Sequence, residues 1–515
     1  MKIAIEGCCH GRLDDIYGSI RLIEQRENCK IDLVLICGDF QSIRNEADLK
    51  SMAVPEKYKE LGTFWKYYSG RTRAPYPTIF IGGNHEASNY LWELYHGGWV
   101  CENIYYLGNA GVINFGGLRI GGLSGIEKLH HYKKGHYERM PYNSNDVRSI
   151  YHVREYDVKK LLQIQEHLDI FLSHDWPKNV EKFGDIEHLM KIKQYFIDQI
   201  LTNTLGSQAN KLLLTKLKPD YWFAAHLHVH YAAIVDHEMW EKNEYPLKTQ
   251  EVLKDKAHNY GLQSRSSFSE ISNDLGNNPD EIEIALDEEI ENDSTVINTA
   301  THDSSNNLNE SKIQTNEGNV LNKKDKTNDD NQKKRKITRF LSLDKCLPRR
   351  SFLQIVDIPS EEDSSEKGYD FYYDMEWLSI TRAMHPYFSS EYQQKPIPSD
   401  EELKILIEKE RIYLEEKRAS GALDLKIPHN FEPTAPAYNS NNKSNNEHVY
   451  LNPQTLQFCK EIDIENKINV DCIPEQMMPK TEANIDNTTT INDQPVKRAK
   501  IEAHSEIIID EDEFL

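Results

Sequence analysis

Five short elements of this 515-residue chain carry side chains with the chemistry of metal ligands. They are Cys8-Cys9-His10, Gly38-Asp39, Gly83-Asn84-His85-Glu86, Ser173-His174-Asp175 and His226-Leu227-His228. Thiolate, imidazole, carboxylate and amide oxygen are donors for zinc, iron or manganese. Seven of these residues qualify: Cys8, His10, Asp39, Asn84, His174, His226 and His228. Seven donors are too many for one tetrahedral ion and suit two ions that share a bridging carboxylate. On extended backbone, side chains at i and i+2 point the same way, which accounts for the spacing of Cys8 with His10 and of His226 with His228. Two such cations would lower the pKa of water and act as Lewis acids.

Each element ends an apolar run and begins a loop. Lys2–Glu6 (KIAIE), Leu33–Cys37 (LVLIC), Thr78–Ile81 (TIFI), Asp169–Ser173 (DIFLS) and Tyr221–Ala225 (YWFAA) read as strands, with Tyr231–Val235 as one more. The continuous apolar runs predict strands buried on both faces. Asp14–Glu27 and Ala87–Tyr95 have helical spacing. The glycines of INFGGLRIGGLSG (113–125) lack the G-x-x-x-x-G-K of a phosphate cradle and predict hairpin turns. The fold class expected is α/β, with sheets inside, helices outside, and donors held at the C-terminal ends of strands.

Composition divides the chain. Hydrophobic residues make up 38% and mean hydropathy is −0.69, low for a chain folded throughout. The net charge of −22 is concentrated in two stretches: 269–332 carries −12 and 451–515 carries −8, leaving about −2 for the rest. Nucleic acid is therefore not excluded as a substrate of the remainder. No run is long and apolar enough to span a membrane, and the N-terminus does not read as a signal peptide. Eight cysteines in a chain of this length do not make a disulfide framework and fit a reducing compartment. The expected organisation is a catalytic domain over 1–240, a mostly disordered acidic Asn-rich insert over 241–336, a smaller C-terminal domain over 337–435 and a disordered acidic tail over 436–515. In the C-terminal domain, 338–358 reads as two strands joined by a Pro turn, 369–383 as partly helical, and Ser399–Arg418 as an amphipathic helix. Short basic clusters at 333–336 and 497–500 could serve nuclear import.

The order of the five elements resembles that of the calcineurin-like metallophosphoesterases. Within that superfamily the chain resembles the RNA lariat debranching enzymes, through GCCHG (7–11), IGGNHEAS (81–88), LSHDWP (172–177), FLSLDKCLPRRSFLQIVDI (340–358) and YDMEWLSITRA (373–383). The likeness covers roughly 1–235 and 338–430. It implies a metallophosphoesterase-type β-sandwich flanked by helices, with a smaller C-terminal domain. One metal would be held by Cys8, His10, Asp39 and His228. The other would be held by Asp39, Asn84, His174 and His226, with Asp39 bridging. His85 would stand beside the substrate phosphate as the general acid for the leaving ribose oxygen. The superfamily's usual Asp is Cys at position 8, which biases that site toward Zn or Fe(II), with Mn the harder alternative. The second element reads GDFQSIRN (38–45), unlike the G-D-x-x-D-R-G of protein phosphatases, and Ala225 stands where many relatives have Gly.

The activity implied is hydrolysis of the 2′–5′ phosphodiester at the branch of excised intron lariat RNA, by a nuclear monomer in contact with spliceosome-associated proteins. The motif alone gives only metal-dependent phosphoester hydrolysis, so another nucleotide or nucleic-acid diester remains the alternative, as does a retired scaffold of the same fold. One local feature suits RNA. The stretch that opens Glu127-Lys128 and runs to 160 interleaves Lys, Arg and His with Tyr, a composition that can pair phosphates and stack bases. Residues 126–145 are the candidate recognition loop, with position 127, His130, Tyr132, Lys133 and Lys134 as candidate substrate contacts; position 127 is a glutamate, Glu127, not a basic residue.

Overall fold

A computed structural model describes residues 1–259, 335–360, 369–440 and 448–470. Among these, thirteen strands occur in chain order: β1 Lys2–Glu6, β2 Leu33–Ile36, β3 Thr78–Phe80, β4 Gly98–Cys101, β5 Ile104–Tyr106, β6 Ala110–Phe115, β7 Leu118–Leu123, β8 Ile170–Ser173, β9 Tyr221–Ala224, β10 Tyr231–Asp236, β11 Ile337–Ser342, β12 Leu353–Asp357 and β13 Phe371–Tyr373. They form two sheets, ordered β12-β1-β2-β3-β5-β4 and β10-β11-β9-β8-β7-β6-β13. The inner strands of each sheet run parallel, as their unbroken apolar sequences require.

Strand alternation explains the layers. Ile3, Ile5, Leu33, Leu35 and Ile79 meet Ile120, Ile170, Leu172, Phe223 and Leu341 in a core between the sheets. The alternate residues Ala4, Val34, Ile36 and Phe80 face outward onto Leu13, Ile16, Tyr17 and Ile20 of the helix Leu13–Glu27. Val112, Phe171, Trp222 and Ala224 do the same for the other sheet, under the helices Glu155–Leu162, Gln208–Leu217 and Met375–Met384. The result is the helix–sheet–sheet–helix sandwich expected from the sequence. The glycines at 116 and 117 have positive φ (56° and 75°) and turn the β6–β7 hairpin.

The segment 338–358 differs from the expectation of two strands joined by a simple turn. β11 and β12 do not pair with each other. β11 inserts between β9 and β10 in the second sheet, whereas β12 lies antiparallel to β1 at the edge of the first. Residues 343–352 cross from one sheet to the other. Local sequence identifies a strand but not its partner, and here the partners lie over a hundred to several hundred residues away.

Two further segments fold where composition suggested disorder. Leu247–Asn259, in the stretch assigned to the insert, is a helix, and Val252 and Leu253 pack on the core. Pro453–Glu461, in the stretch assigned to the tail, is another, capped by the Asn452 side chain, which accepts the Gln454 N–H. Phe458, Cys459 and Ile462 bury against Leu378, Leu414 and Leu423. Gln454 also covers the free edge of β4: its Oε1 accepts the Trp99 N–H and its Nε2 donates to the Trp99 carbonyl, both at 2.8 Å. These few apolar contacts are enough to order a stretch whose average composition is polar. The remaining parts of the insert and tail expectations, including the basic cluster at 497–500 and Lys333 and Lys334, fall outside the described residues. No helix among the described residues is long and apolar enough to cross a membrane.

The C-terminal region is joined to the sandwich by a buried ion cluster. Arg119 on β7, 8% exposed, donates to both oxygens of Asp374 and to Glu376, each at 2.7 Å. Asp374 in turn caps the helix Met375–Met384 by accepting the Trp377 N–H. Replacing one partner leaves the other charges buried and unpaired. Arg119→Met is therefore expected to cost about 3–5 kcal/mol of unfolding free energy in urea titrations, and a loss below ~1 kcal/mol would show that the cluster is not what joins the two regions.

Candidate metal centre

The five donor elements follow β1, β2, β3, β8 and β9 at their C-terminal ends, so loops from both sheets converge on one point. The donor atoms of Cys8, His10, Asp39 and His228 all lie within 4.8 Å of one another. Nε2 atoms of His10 and His228 face each other at 3.5 Å. On the other side, His174 Nε2 lies 3.1 Å from Asn84 Oδ1 and 3.4 Å from Asp39 Oδ1. Asp39 Oδ2 instead faces His10 Nε2 at 3.7 Å. The two carboxylate oxygens thus address two separate groups of donors. The His226 ring is 5.0 Å from that of His174, and its backbone N–H donates to Cys8 Sγ at 3.2 Å. All seven residues singled out by type and spacing come together.

The backbone is forced to bring them together. His10, Asp39, His226 and His228 all have positive φ, between 45° and 62°, uncommon for residues with a Cβ. Two glycines permit the close approach. A Cβ on Gly38 (φ +111°) would fall 2.3 Å from His174 Nδ1, and one on Gly83 would fall 2.2 Å from Asp39 Oδ1. His174 Nδ1 lies 2.8 Å from the Cys37 carbonyl, an acceptor only, so it carries the hydrogen and leaves a lone pair on Nε2.

Electrostatics put the groups in ligating form. Burial pushes His10 down to about 4, His226 to about 3 and His228 to about 2, so these imidazoles are neutral at pH 7. Burial also opposes ionisation of Asp39, but His174, His85 and His10, together with the His85 backbone N–H at 2.9 Å, outweigh it and hold the carboxyl well below the usual range. Burial and then the Asp39 charge push the Cys8 thiol up. A soft divalent cation is what would ionise such a thiol. Neutral imidazoles, an ionised shared carboxylate, an amide oxygen and a thiol fit divalent metal binding.

Around these donors, Asn84 Nδ2 lies 3.0 Å from His85 Nε2, and the His85 ring is 5.9 Å from that of His10. Glu86 was part of the quoted motif without a role. Its buried carboxyl accepts the N–H groups of Phe40, Gln41 and Gly83 at 2.8–2.9 Å, which joins the loop after β2 to the loop after β3. Burial and then Asp39 push it up to about 8. The only sequence signal for it was its adjacency to Asn84-His85.

The candidate recognition loop leaves β7 beside this centre: the Gly125 N–H donates to the Gly82 carbonyl at 2.9 Å. Glu127 accepts from Ser207 Oγ and the Ala209 N–H, at the start of the helix Gln208–Leu217. The Lys128 charge reaches His226 and helps to depress it. His130 and Lys133 are exposed, Tyr132 packs against the core, and Lys134 Nζ sits 4.4 Å above the Tyr392 ring. A second group of potential ligands, His167, Asp169 and Asp220, lies elsewhere. Lys336 Nζ already donates to Asp220 there at 2.8 Å.

A two-sheet sandwich whose strand-end loops gather this donor set is a calcineurin-like phosphoesterase, and residues 1–230 match that family. Residues 335–467 match the lariat debranching enzyme C-terminal domain. The lariat debranching enzyme of Arabidopsis thaliana is 42% identical over 458 residues, which span 88% of this chain and 84% of that protein. The lariat debranching enzyme of Schizosaccharomyces pombe is 42% identical over 465 residues, 89% and 95% of the two chains, and that of Homo sapiens 40% over 468 residues, 90% and 69%. The chain belongs to the lariat debranching enzyme family.

The close approach at Gly83 can be tested. Gly83→Ala places a methyl against Asp39 and His174. It is expected to weaken divalent-metal binding by about ten- to a hundred-fold with the far-UV circular dichroism unchanged, as read by titrating metal into chelator-stripped protein. Binding within two-fold of the parent would mean that the Gly83 approach does not set the Asp39 position.

Proposed function

We propose that this protein hydrolyses the 2′–5′ phosphodiester at the branch of excised intron lariat RNA, freeing the adenosine 2′-hydroxyl and leaving a 5′-phosphate, so that introns are linearised for turnover. The observation that carries this reading is the divided Asp39 carboxylate, one oxygen toward His10 and the other toward His174, in a chain of this family. Cys8, His10, Asp39 and His228 would hold one divalent ion, and Asp39, Asn84, His174 and His226 the second. The thiol favours Zn or Fe(II) at the first site, with Mn the alternative. When bound, the pair supplies Lewis-acid neutralisation of phosphoryl oxygens and water of lowered pKa.

The remaining steps belong to the chain's own residues. Asn84 turns its oxygen to His174 and its nitrogen to His85, and so orients His85 relative to the donors. His85 donates a proton to the 2′-oxygen of the departing ribose, whose high pKa otherwise makes it a poor leaving group. Lys128, His130, Lys133 and Lys134, with Tyr132 supporting the loop from the core side, contact RNA phosphates and bases around the branch. In this reading 1–240 is the catalytic domain, with 126–145 as its recognition loop, and 337–435 is the debranching-type C-terminal domain that supports it. The protein works as a nuclear monomer alongside spliceosome-associated proteins.

Branched RNA, linear 3′–5′ RNA and bis(4-nitrophenyl) phosphate separate the substrate classes. Branched RNA is expected to be cleaved at least about a hundred-fold faster than linear RNA. His85→Ala is expected to retain its bound metal and lose about 10²–10⁴ in turnover. Equal cleavage of branched and linear RNA would remove the lariat assignment, and metal loss in His85→Ala would remove the acid role.

A further inference from the structure

The candidate recognition loop is anchored at three places, and one of them lies in the C-terminal region. At its root, Ile126 bridges to His152, and the Val153 N–H donates to the Ile126 carbonyl at 2.9 Å. Behind it, the buried Arg154 guanidinium pairs with the Glu138 carboxyl at 2.5 Å. Its middle docks on residues 389–393. Lys134 is the antiparallel bridge partner of Gln393, the Gly135 N–H donates to the Tyr392 carbonyl at 3.2 Å, and the His136 N–H donates to the Ser389 carbonyl at 2.9 Å. Glycine is needed at 135, since a Cβ there would fall 2.2 Å from the Glu391 carbonyl oxygen.

Two aromatic residues next to each other in this docking segment are placed differently. Phe388 is buried, stacked on His136 with 5.7 Å between ring centroids, and packed against Tyr95 and Tyr156. It anchors the segment. Tyr392, four residues on, is 58% exposed. Lys134 Nζ lies 4.4 Å from its ring centroid, and the Tyr137 ring lies 4.9 Å away at 53°. The ring is thus held in place while more than half of the residue stays open to solvent, where it adds little to the core. The charge around it is mostly positive. Residues 128–139 carry Lys128, Lys133, Lys134 and Arg139 against one carboxylate, Glu138, which is buried on Arg154. Lys395 adds an exposed cation to the docking segment, and Glu391 is its one exposed acid. A held, open aromatic ring among cations suits a polyanion whose units carry flat rings. In single-stranded RNA the bases stack on such rings while lysine and arginine pair the phosphates.

We propose that Tyr392 is a substrate-binding residue whose ring stacks on a nucleobase of the RNA strand, with Lys133 and Lys134 on the adjoining phosphates. The RNA surface is thereby shared between the recognition loop and the C-terminal region, and the backbone bonds of 134–136 to 389–393 hold the two parts in register. This inference rests on the reading of RNA as the substrate but not on the preference for a branch.

Tyr392→Ala and Tyr392→Ser remove the ring, and Tyr392→Phe keeps it without the hydroxyl. Each full-length, metal-loaded variant is compared with the parent for kcat and KM on branched RNA and on bis(4-nitrophenyl) phosphate, and for the Kd of a fluorescent linear single-stranded RNA by anisotropy. Both ringless variants are expected to raise KM for branched RNA and Kd for linear RNA about five- to a hundred-fold, with kcat on branched RNA within two-fold of the parent. Turnover of the small diester, which carries no base, is expected to stay within two-fold. Tyr392→Phe is expected to bind both RNAs as the parent does. RNA binding within two-fold of the parent in both ringless variants would overturn the proposal. So would a loss on the small diester equal to that on RNA, which would make Tyr392 a support for the loop, and so would a Tyr392→Phe variant as weak as Tyr392→Ala. Because linear RNA has no branch, failure of the parent to prefer branched RNA would count against the lariat reading alone.

Discussion

Asp39 is a carboxylate with 1% of its surface exposed, ionised where burial opposes its charge. The His85 backbone N–H donates to it at 2.9 Å, and the rings of His174, His85 and His10 surround it. Every other feature of the centre is arranged around that one group. Its two oxygens look to different donors, the glycines at 38 and 83 clear space for it and for His174, and Glu86 fastens together the loops on which it and Asn84 ride. The distance between the two groups of donors is therefore set by one side chain. The positive φ values at His10, Asp39, His226 and His228 cost conformational energy at each residue. The sandwich can hold them because each follows directly on a buried strand.

That rigidity depends on both ends of the chain. β11 lies between β9 and β10, and β9 delivers His226 and His228; β12 pairs with β1, which delivers Cys8 and His10. Strands from beyond residue 336 therefore buttress two of the five donor elements directly. The segment after β13 reaches further: Thr434 Oγ1 accepts from Arg44 and donates to Glu93, and the Ala435 carbonyl accepts the Tyr68 hydroxyl. Arg44 itself is fully buried and pairs with Asp48 and Glu93. A long polar insert between β10 and β11 leaves this framework intact, because the strands on either side of it are neighbours in the sheet and the two ends of the insert start close together.

How much of this could be read beforehand follows from where each signal is stored. The strands and the seven donors were legible because they are local: an apolar run, then a Gly turn, then a ligand-type residue. The helix–sheet–sheet–helix layering followed from runs apolar on both faces. The pairing of β11 and β12 with different sheets was not legible, since nothing in FLSLDKCLPRRSFLQIVDI names a partner strand. The helix Pro453–Glu461 was hidden for a different reason. Its stability comes from Phe458, Cys459 and the Gln454 bonds to Trp99, and averaging over an Asn-rich stretch erased those few positions. Glu86 was unread because a buried carboxyl that collects backbone N–H groups looks like an ordinary charged residue in a string.

Cysteine at position 8 takes on a meaning here that its residue type alone does not give. The donors of the Cys8 group lie within 4.8 Å of one another, and Asp39 is already charged among them. A second carboxylate at position 8, as in the wider superfamily, would set two like charges side by side away from water, and one of the two would be driven to take up a proton. A thiol avoids this conflict. Burial and Asp39 both push it up, so it stays neutral until a cation provides the compensating charge. The cost is selectivity, because sulfur prefers softer ions than oxygen does.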